Sequence, residues 1–365
     1  MENRLTVDHK NTGSYDVIIE KDFAGLSRIV SELFPSLKRI CVITDSNVAK
    51  LYLDEVKKVL SDCCESVIDH VFEAGEENKN LNTVTACYDV LLANDLNRKD
   101  LVVGLGGGVT GDTAAYVAST YMRGCAFINL PTTLLSMADS SVGGKCGVDY
   151  DKYKNIVGSI YMPRLVYAAT DTLKTLPDRE YSSGIAEILK AGLIKDAAFY
   201  EWLIDNFSEI MQRQSDKVAG MLYKAISIKQ FFVTKDPYEK NERMILNFGH
   251  TIGHALEKYF DFKYSHGQCV ALGSVASAYI SWKRQMLSDE EFYEIRDMFV
   301  PFDLPISIDD IDIDEVCANI GHDKKNTDDG LKFILLKKIG KAVIVNDVKE
   351  EEIKAAVNNL IVKWD

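Results

Sequence analysis

The chain has 365 residues, of which 47% are hydrophobic and 27% charged, and its formal net charge is -13. That length allows two domains, each with a substantial core, and the composition is that of an ordinary soluble globular protein. The acidic balance argues against a general nucleic-acid or membrane surface, because those partners require a basic face, and leaves an anionic small substrate only where basic residues gather locally.

Residues 15–20 read as a strand, and 21–34 have helical spacing, stopped by Pro35. A short β-branched run follows at 39–44, then an amphipathic helix at 48–60, a strand at 66–72, a helix at 81–93 and a buried strand at 101–105. This rhythm of strand and helix predicts a parallel sheet with helices on both faces.

Immediately after the strand at 101–105, Gly106, Gly108 and Gly111 satisfy Gly-x-Gly-x-x-Gly ahead of a predicted helix at 113–122. In that context small residues let backbone N–H groups and a helix N-terminus approach a diphosphate, although a tight turn would also select glycine. The acidic residue usual about twenty positions downstream is missing, which leaves Asp45 and Glu76 as substitutes for holding ribose hydroxyls in a variant Rossmann arrangement. A further strand at 126–130 ends in Pro131-Thr132-Thr133. Beyond it, Gly143-Gly144-Lys145 and Lys154-Asn155 suit a phosphate or carboxylate pocket.

From about residue 173 the strand rhythm stops, and helices are expected at 183–196, 199–207, 218–233 and 251–260. Glu187 lies among Ile185, Ala186, Ile188 and Leu189, where a carboxylate needs a cation or a metal, and Lys190 shares its face. The chain has six histidines, and three of them, His250, His254 and His266, fall within seventeen residues. His250 and His254 form an i, i+4 pair, which makes a metal site the first hypothesis against hydrogen-bonded packing residues. The cluster lacks the Glu of His-Glu-x-x-His, so it is no metalloprotease signature. A helical domain supplying Glu187, His250 and His266 would complete a three-ligand centre with an open position. The last third returns to mixed character, with strands expected at 332–336 and 342–345 near Lys324-Lys325, and a solvated helix start at 349–352.

The N-terminus has no apolar signal core, and no run of about eighteen apolar residues suggests a membrane span, so a cytoplasmic protein is expected. The eight cysteines form no Cys-x-x-Cys pair and read as reduced core thiols.

Taken in order, Gly-Gly-Gly-Val-Thr-Gly-Asp (106–112), Ser-Thr-Tyr-Met-Arg-Gly (119–124), Leu-Pro-Thr-Thr-Leu-Leu (130–135), Asp-Ser-Ser-Val-Gly-Gly-Lys (139–145), Lys154-Asn155, Ala-Glu-Ile-Leu-Lys (186–190) and Asn-Phe-Gly-His-Thr-Ile-Gly-His (247–254) resemble the 3-dehydroquinate synthase family. The resemblance implies an NAD-binding, Rossmann-like parallel-sheet α/β domain over 1–172, a mainly α-helical metal- and substrate-binding domain over 173–365, and an active site in the cleft between them. It implies a homodimeric lyase of the shikimate pathway that uses NAD and one divalent metal, zinc or cobalt. Its substrate would be a sugar phosphate, 3-deoxy-D-arabino-heptulosonate 7-phosphate. The product, 3-dehydroquinate, would arise through transient oxidation by bound NAD, phosphate elimination, re-reduction, ring opening and intramolecular aldol closure.

Carried onto this sequence, the family's metal ligands fall on Glu187, His250 and His266, and His254 becomes a substrate or proton-transfer residue. Its cofactor contacts fall on Asp45, Glu76, Lys79, Gly107, Gly108, Val109, Asp112, Thr132, Thr133, Lys145, Lys154, Thr172 and Thr175. Its substrate contacts fall on Asp139, Lys145, Asn155, Lys190, Lys229, Arg243, Asn247 and Lys324, with Arg123 reaching the phosphate from the partner subunit. Of these, Lys190, Lys229, Arg243 and Asn247 join His254 in catalysis. Two local departures, Ala74 before Gly-Glu and the stretch 148–153 before Lys154-Asn155, bear on loop geometry. The competing readings are a sister sugar-phosphate cyclase forming an inosose or valiolone, a metal-dependent polyol dehydrogenase, and a non-catalytic metal- and nucleotide-binding protein.

Overall fold

The computed structural model describes residues 3–9, 13–151, 153–261, 263–309, 311–321 and 331–362, in two compact units. The first comprises Met1–Leu176 with Val218–Pro237, and the second Pro177–Lys217 with Tyr238–Asp365.

Among the described residues, nine strands belong to the first unit: β1 Arg4–His9, β2 Gly13–Glu20, β3 Arg39–Asp45, β4 Ser66–Phe72, β5 Leu101–Gly106, β6 Ala126–Pro131, β7 Lys145–Tyr150, β8 Tyr153–Ile160 and β9 Leu165–Ala169. Seven of them form one sheet in the order β1-β2-β9-β6-β5-β3-β4, parallel except where β1 pairs antiparallel with β2. β5 is buried along its whole length, as a parallel strand covered on both faces must be. Alternate residues divide between two cores. Ile40, Val103 and Leu105 meet Leu26, Val56 and Leu60 on one side, whereas Ile43, Val102 and Phe127 meet Val84, Leu91 and Val117 on the other.

Four strands, β1, β7, β8 and β9, depart from the sequence expectation. β8 is exposed at every residue except half-buried Val157, so its sequence shows no period of two, and β7 and β8 form a separate antiparallel hairpin. The helix expected from residue 113 begins at Gly108, which places the glycine-rich stretch in its first turn. The helix expected from residue 21 begins at Leu26, because Asp22 accepts from the Ala24 N–H in a local turn that competes with helix. The helix Ser215–Lys235 groups from Val218 onward with the first unit, where Gln230 donates to the Thr6 carbonyl, although residues 173–365 were expected to form one domain.

The second unit is mainly helical, with a small hairpin of β10 Phe333–Lys338 and β11 Lys341–Val345. Its helix Asp178–Lys195 is buried at every residue from Tyr181 to Ile194. The helix His266–Lys283, absent from the sequence expectation, is buried almost all round, so it has no polar stripe to betray its period.

Candidate functional site

Glu187 sits at the middle of the buried Asp178–Lys195 helix with 3% of its side chain exposed. Its Oε2 accepts from the Lys190 ammonium one turn on, which is equally buried. Its Oε1 lies 3.3 Å from His250 Nε2 and 3.4 Å from His266 Nε2, yet takes part in no hydrogen bond. A buried carboxylate oxygen left in that condition is costly unless another charge completes it. The three donor atoms lie within 4.8 Å of one another, an arrangement of two imidazoles and one carboxylate suited to a zinc-like cation with an open coordination position.

The imidazoles are held for this task from behind. His250 Nδ1 lies 3.1 Å from the Phe248 carbonyl, which can only accept, so Nδ1 carries the proton and Nε2 presents its lone pair toward Glu187. His266 opens its helix behind a Ser265–Gln268 capping box, and its Nδ1 faces Glu257 Oε2 at 3.6 Å.

Burial opposes the charge on Glu187, but Lys190, then His250 and His266, outweigh it and hold the carboxyl well below its usual range. Burial, reinforced by Lys190, pushes His250 down to about 3, which leaves it neutral at physiological pH. Burial acts the same way on His266, but Glu187 and Glu257 outweigh it and raise the imidazole to about 10. A cation taking the Nε2 of His266 must therefore displace a proton.

Glycines let the helices approach closely enough to form the centre. Gly249 has φ +79°, and a Cβ there would meet Ser274 Oγ at 2.5 Å. A Cβ on Gly273 would lie 2.0 Å from the Gly249 carbonyl, and one on Gly253 would lie 2.8 Å from the Cys269 carbonyl. Gly267 touches the Glu187 helix directly, donating its N–H to Ser183 Oγ at 2.9 Å.

His254 does not join this donor set. It is exposed, its ring 5.1 Å from that of His250 and 5.8 Å from that of His266, and it groups instead with Glu257 and His266, whose donor atoms also lie within 4.8 Å. The simple i, i+4 metal pair is thus replaced by ligand candidates from three helices. Arg243 is buried in the turn Glu242–Asn247, and Asn247 donates to Glu239 Oε1 at 2.6 Å. Lys324 lies outside the described residues.

In the first unit the Gly107–Gly108 turn opens a thirteen-residue helix that no side chain caps, so N–H groups of its first turn remain available to an anion. Gly107 faces Thr133, whose Cγ2 a Cβ would meet at 3.0 Å, so that surface has room for little beyond a backbone. Asp45 caps the next helical turn through Oδ1 and accepts from Thr110 through Oδ2 at 2.9 Å. Lys79, nearly buried, donates to Asp112 at 2.7 Å and to Asn155 at 2.6 Å. Burial disfavours its charge, but Asp112 and then Glu76 outweigh this and raise it. Lys154 lies 3.6 Å from Glu76, and Asn155, at φ +54°, donates its N–H to Asp149. Lys229 pairs with both the side chain and the carbonyl of Asp139.

Thr132 is buried at the end of β6, Thr133 Oγ1 accepts from the Ser136 N–H, and Thr172 and Thr175 meet the Tyr52 hydroxyl. Val109 is half-buried behind Gly108, and Lys145 is exposed at the start of β7. Arg123 stands apart from these groups, exposed on a left-handed Met122–Arg123 turn.

Sequence reasoning missed Glu257, Glu239, Asp149 and the Phe248 carbonyl. Glu257 was findable, because it follows His250 by seven and His254 by three on one helical face. Glu239 and the Phe248 carbonyl come from turns, and Asp149 from the unanticipated strand β7, whose folding no local pattern announces.

Residues 69–183 match the family model described as 3-dehydroquinate synthase N-terminal, and residues 184–326 match the one described as 3-dehydroquinate synthase C-terminal. A 3-dehydroquinate synthase of Ruminiclostridium cellulolyticum is 41% identical over 350 residues, 96% of this chain and 97% of that protein. Among solved structures, a 2-epi-5-epi-valiolone synthase of Streptomyces hygroscopicus with NAD+ and Zn2+ bound is 28% identical with a TM-score of 0.88, covering 97% of this chain and 98% of that one. A 2-deoxy-scyllo-inosose synthase complexed with carbaglucose-6-phosphate, NAD+ and Co2+ is 26% identical with the same TM-score, covering 98% and 100%.

Proposed function

The chain belongs to the 3-dehydroquinate synthase family, and on that premise we infer that it converts 3-deoxy-D-arabino-heptulosonate 7-phosphate to 3-dehydroquinate and phosphate. It is a phosphate-eliminating cyclase that uses NAD and one divalent metal, groups that two structural relatives hold. When bound, NAD supplies a reversible two-electron oxidation and the metal a Lewis acid for hydroxyl and ketone oxygens.

The observation that carries the reading is Glu187 Oε1, buried, without a hydrogen bond, and facing two imidazole nitrogens. Glu187, His250 and His266 would hold the metal. Lys190, by neutralising Glu187, fixes the carboxylate as a one-oxygen donor, and with Lys229 and Arg243 it supplies positive charge for an anionic substrate. Asn247, oriented by Glu239, is assigned to a substrate hydroxyl, and His254 to moving a proton at its exposed imidazole. Asp139, Lys145 and Asn155 complete the substrate set.

For the dinucleotide, the uncapped N-terminus at Gly107, Gly108 and Val109 is assigned to the diphosphate, and Asp45 and Glu76 to ribose hydroxyls. Lys79, braced by Asp112, would stand close to the phosphates with Lys145 and Lys154. Thr132, Thr133, Thr172 and Thr175 offer hydroxyl and backbone groups to the remainder. We place the chain in a homodimer in which Arg123, exposed on its left-handed turn, serves the other copy's substrate phosphate. The eight cysteines, none of them in a disulfide, suit a reducing cytoplasm.

The test is phosphate release from the heptulosonate phosphate with NAD, followed together with the absorbance of NADH. Phosphate and dehydroquinate should form without net NADH, cease after chelation, and return with zinc or cobalt. NADH accumulating mole for mole would make the chain a polyol dehydrogenase instead. A carbocycle other than dehydroquinate would make it a sister cyclase, although the intact Asp139-Ser-Ser-Val-Gly-Gly-Lys145 stretch favours the first assignment.

A further inference from the structure

His266 is gripped between two carboxylates. Its Nε2 faces Glu187 Oε1 at 3.4 Å and its Nδ1 faces Glu257 Oε2 at 3.6 Å, so the line from Glu187 to Glu257 runs through the imidazole. The Glu257 side chain is 12% exposed and projects from the same helix as His250 and His254. His250 has its Nδ1 secured by a neighbouring carbonyl, whereas the Nδ1 of His266 faces a side chain supplied by another helix.

Resting on the metal reading above, we propose that Glu257 is a positioning residue for His266. It accepts the Nδ1 proton and sets the ring plane, so that Nε2, once an arriving cation displaces its proton, is the nitrogen left to ligate. An imidazole is a ligand only through a nitrogen bearing a lone pair, and which nitrogen that is follows from the partner of the other. A contact of 3.6 Å is a few tenths of an ångström longer than a hydrogen bond, so a small ring rotation completes it. Glu257 also raises the electron density of the ring it faces, which strengthens the opposite nitrogen as a donor.

The test uses the full chain stripped of metal by chelation, titrated with Zn2+ against a chromophoric competitor, and the absorption spectrum of the Co2+ form. Wild type should bind one equivalent. Glu257→Leu should bind Zn2+ about 10- to 100-fold more weakly and change the cobalt bands. Glu257→Gln should fall between them, since its amide oxygen still accepts the proton without the charge, and being isosteric it guards against a folding failure in the leucine variant. A role in packing alone would lower the unfolding midpoint of the metal-free variants and leave zinc affinity unchanged. The proposal is overturned if both variants bind zinc as wild type does. It is equally overturned if wild type binds a second equivalent that Glu257→Leu loses, because His254, Glu257 and the Nδ1 of His266 would then themselves be ligands. His250→Ala separates the levels: if neither it nor the Glu257 variants weaken zinc binding, the metal centre itself is misassigned.

Discussion

Gly267→Ala tests whether the approach of two helices sets the metal centre. A Cβ at position 267 would lie 2.2 Å from the Ser183 carbonyl oxygen, 2.4 Å from its Cα and 2.6 Å from its carbonyl carbon. All three are backbone atoms of the Glu187 helix, so no side chain can turn aside. Carbon and oxygen sit comfortably at about 3.3 Å, which requires a separation of roughly 1.1 Å (3.3 less 2.2). That motion also stretches the 2.9 Å bond from the Gly267 N–H to Ser183 Oγ. Overpacking of this kind costs about 1–3 kcal/mol and the lost hydrogen bond about 1 kcal/mol, whereas alanine's helix preference returns at most about 1 kcal/mol and less in a first turn. Sterics win, and the variant should be about 1–3 kcal/mol less stable. His266 adjoins position 267, and metal bonds of about 2.0–2.2 Å tolerate only a few tenths of an ångström, so zinc affinity should fall at least about tenfold. Denaturant unfolding of the metal-free protein and competitive zinc titration measure the two effects. Wild-type values in both would refute the argument that this glycine sets the distance.

Glu187→Gln should abolish stoichiometric zinc binding and destabilise the metal-free protein by about 3 kcal/mol, because it strands Lys190 without its carboxylate; adding Lys190→Met should restore stability but not metal, as unfolding and metal analysis can check. Lys79→Met leaves Asp112 facing a methyl group, so a loss of about 3 kcal/mol is expected in denaturant melts, with weaker NAD binding by calorimetry, and Asp112→Asn in the same background should recover part of the stability. Arg284 grips Glu352 through two nitrogens and holds its carboxyl down at about 2. A folded value below the unfolded one means the stabilisation is complete above about pH 4.5 and fades as pH falls toward 2. Arg284→Gln should therefore be about 1–2 kcal/mol less stable at pH 7, and its melting curve should converge on wild type in acid. A gap that persists unchanged at low pH would count against this ion pair.

The parallel sheet was legible because β3 and β5 are short and apolar with β-branched residues, and because each is followed by a helix with its own period. β8 was not, since it pairs only with β7 and its exposed residues Tyr153, Lys154, Asn155 and Ile156 show no alternation. The helix His266–Lys283 escaped for the opposite reason: a helix buried all round carries no amphipathic signal, and its capping box at Ser265 and Gln268 was the one local cue. The grouping of Ser215–Lys235 with the first unit was illegible in principle, because a helix's own sequence reports which face it buries and not against what.

The site divides along the same line. Glu187, His250 and His266 could be nominated from residue type, since a carboxylate among isoleucines and three close histidines are hard to explain as packing. What makes them a centre is carried by residues with no chemistry of their own. Gly249 adopts a left-handed turn just before His250, Gly253 and Gly273 bring two helices nearly into backbone contact, and Gly267 does the same for a third. Each replaces side-chain volume with proximity, and proximity lets one carboxylate oxygen lie within 3.4 Å of both imidazoles. The glycines in the Asn247–His254 motif are therefore as much a part of the proposed metal site as its histidines, and their loss should be read out in metal affinity before it is seen in secondary structure.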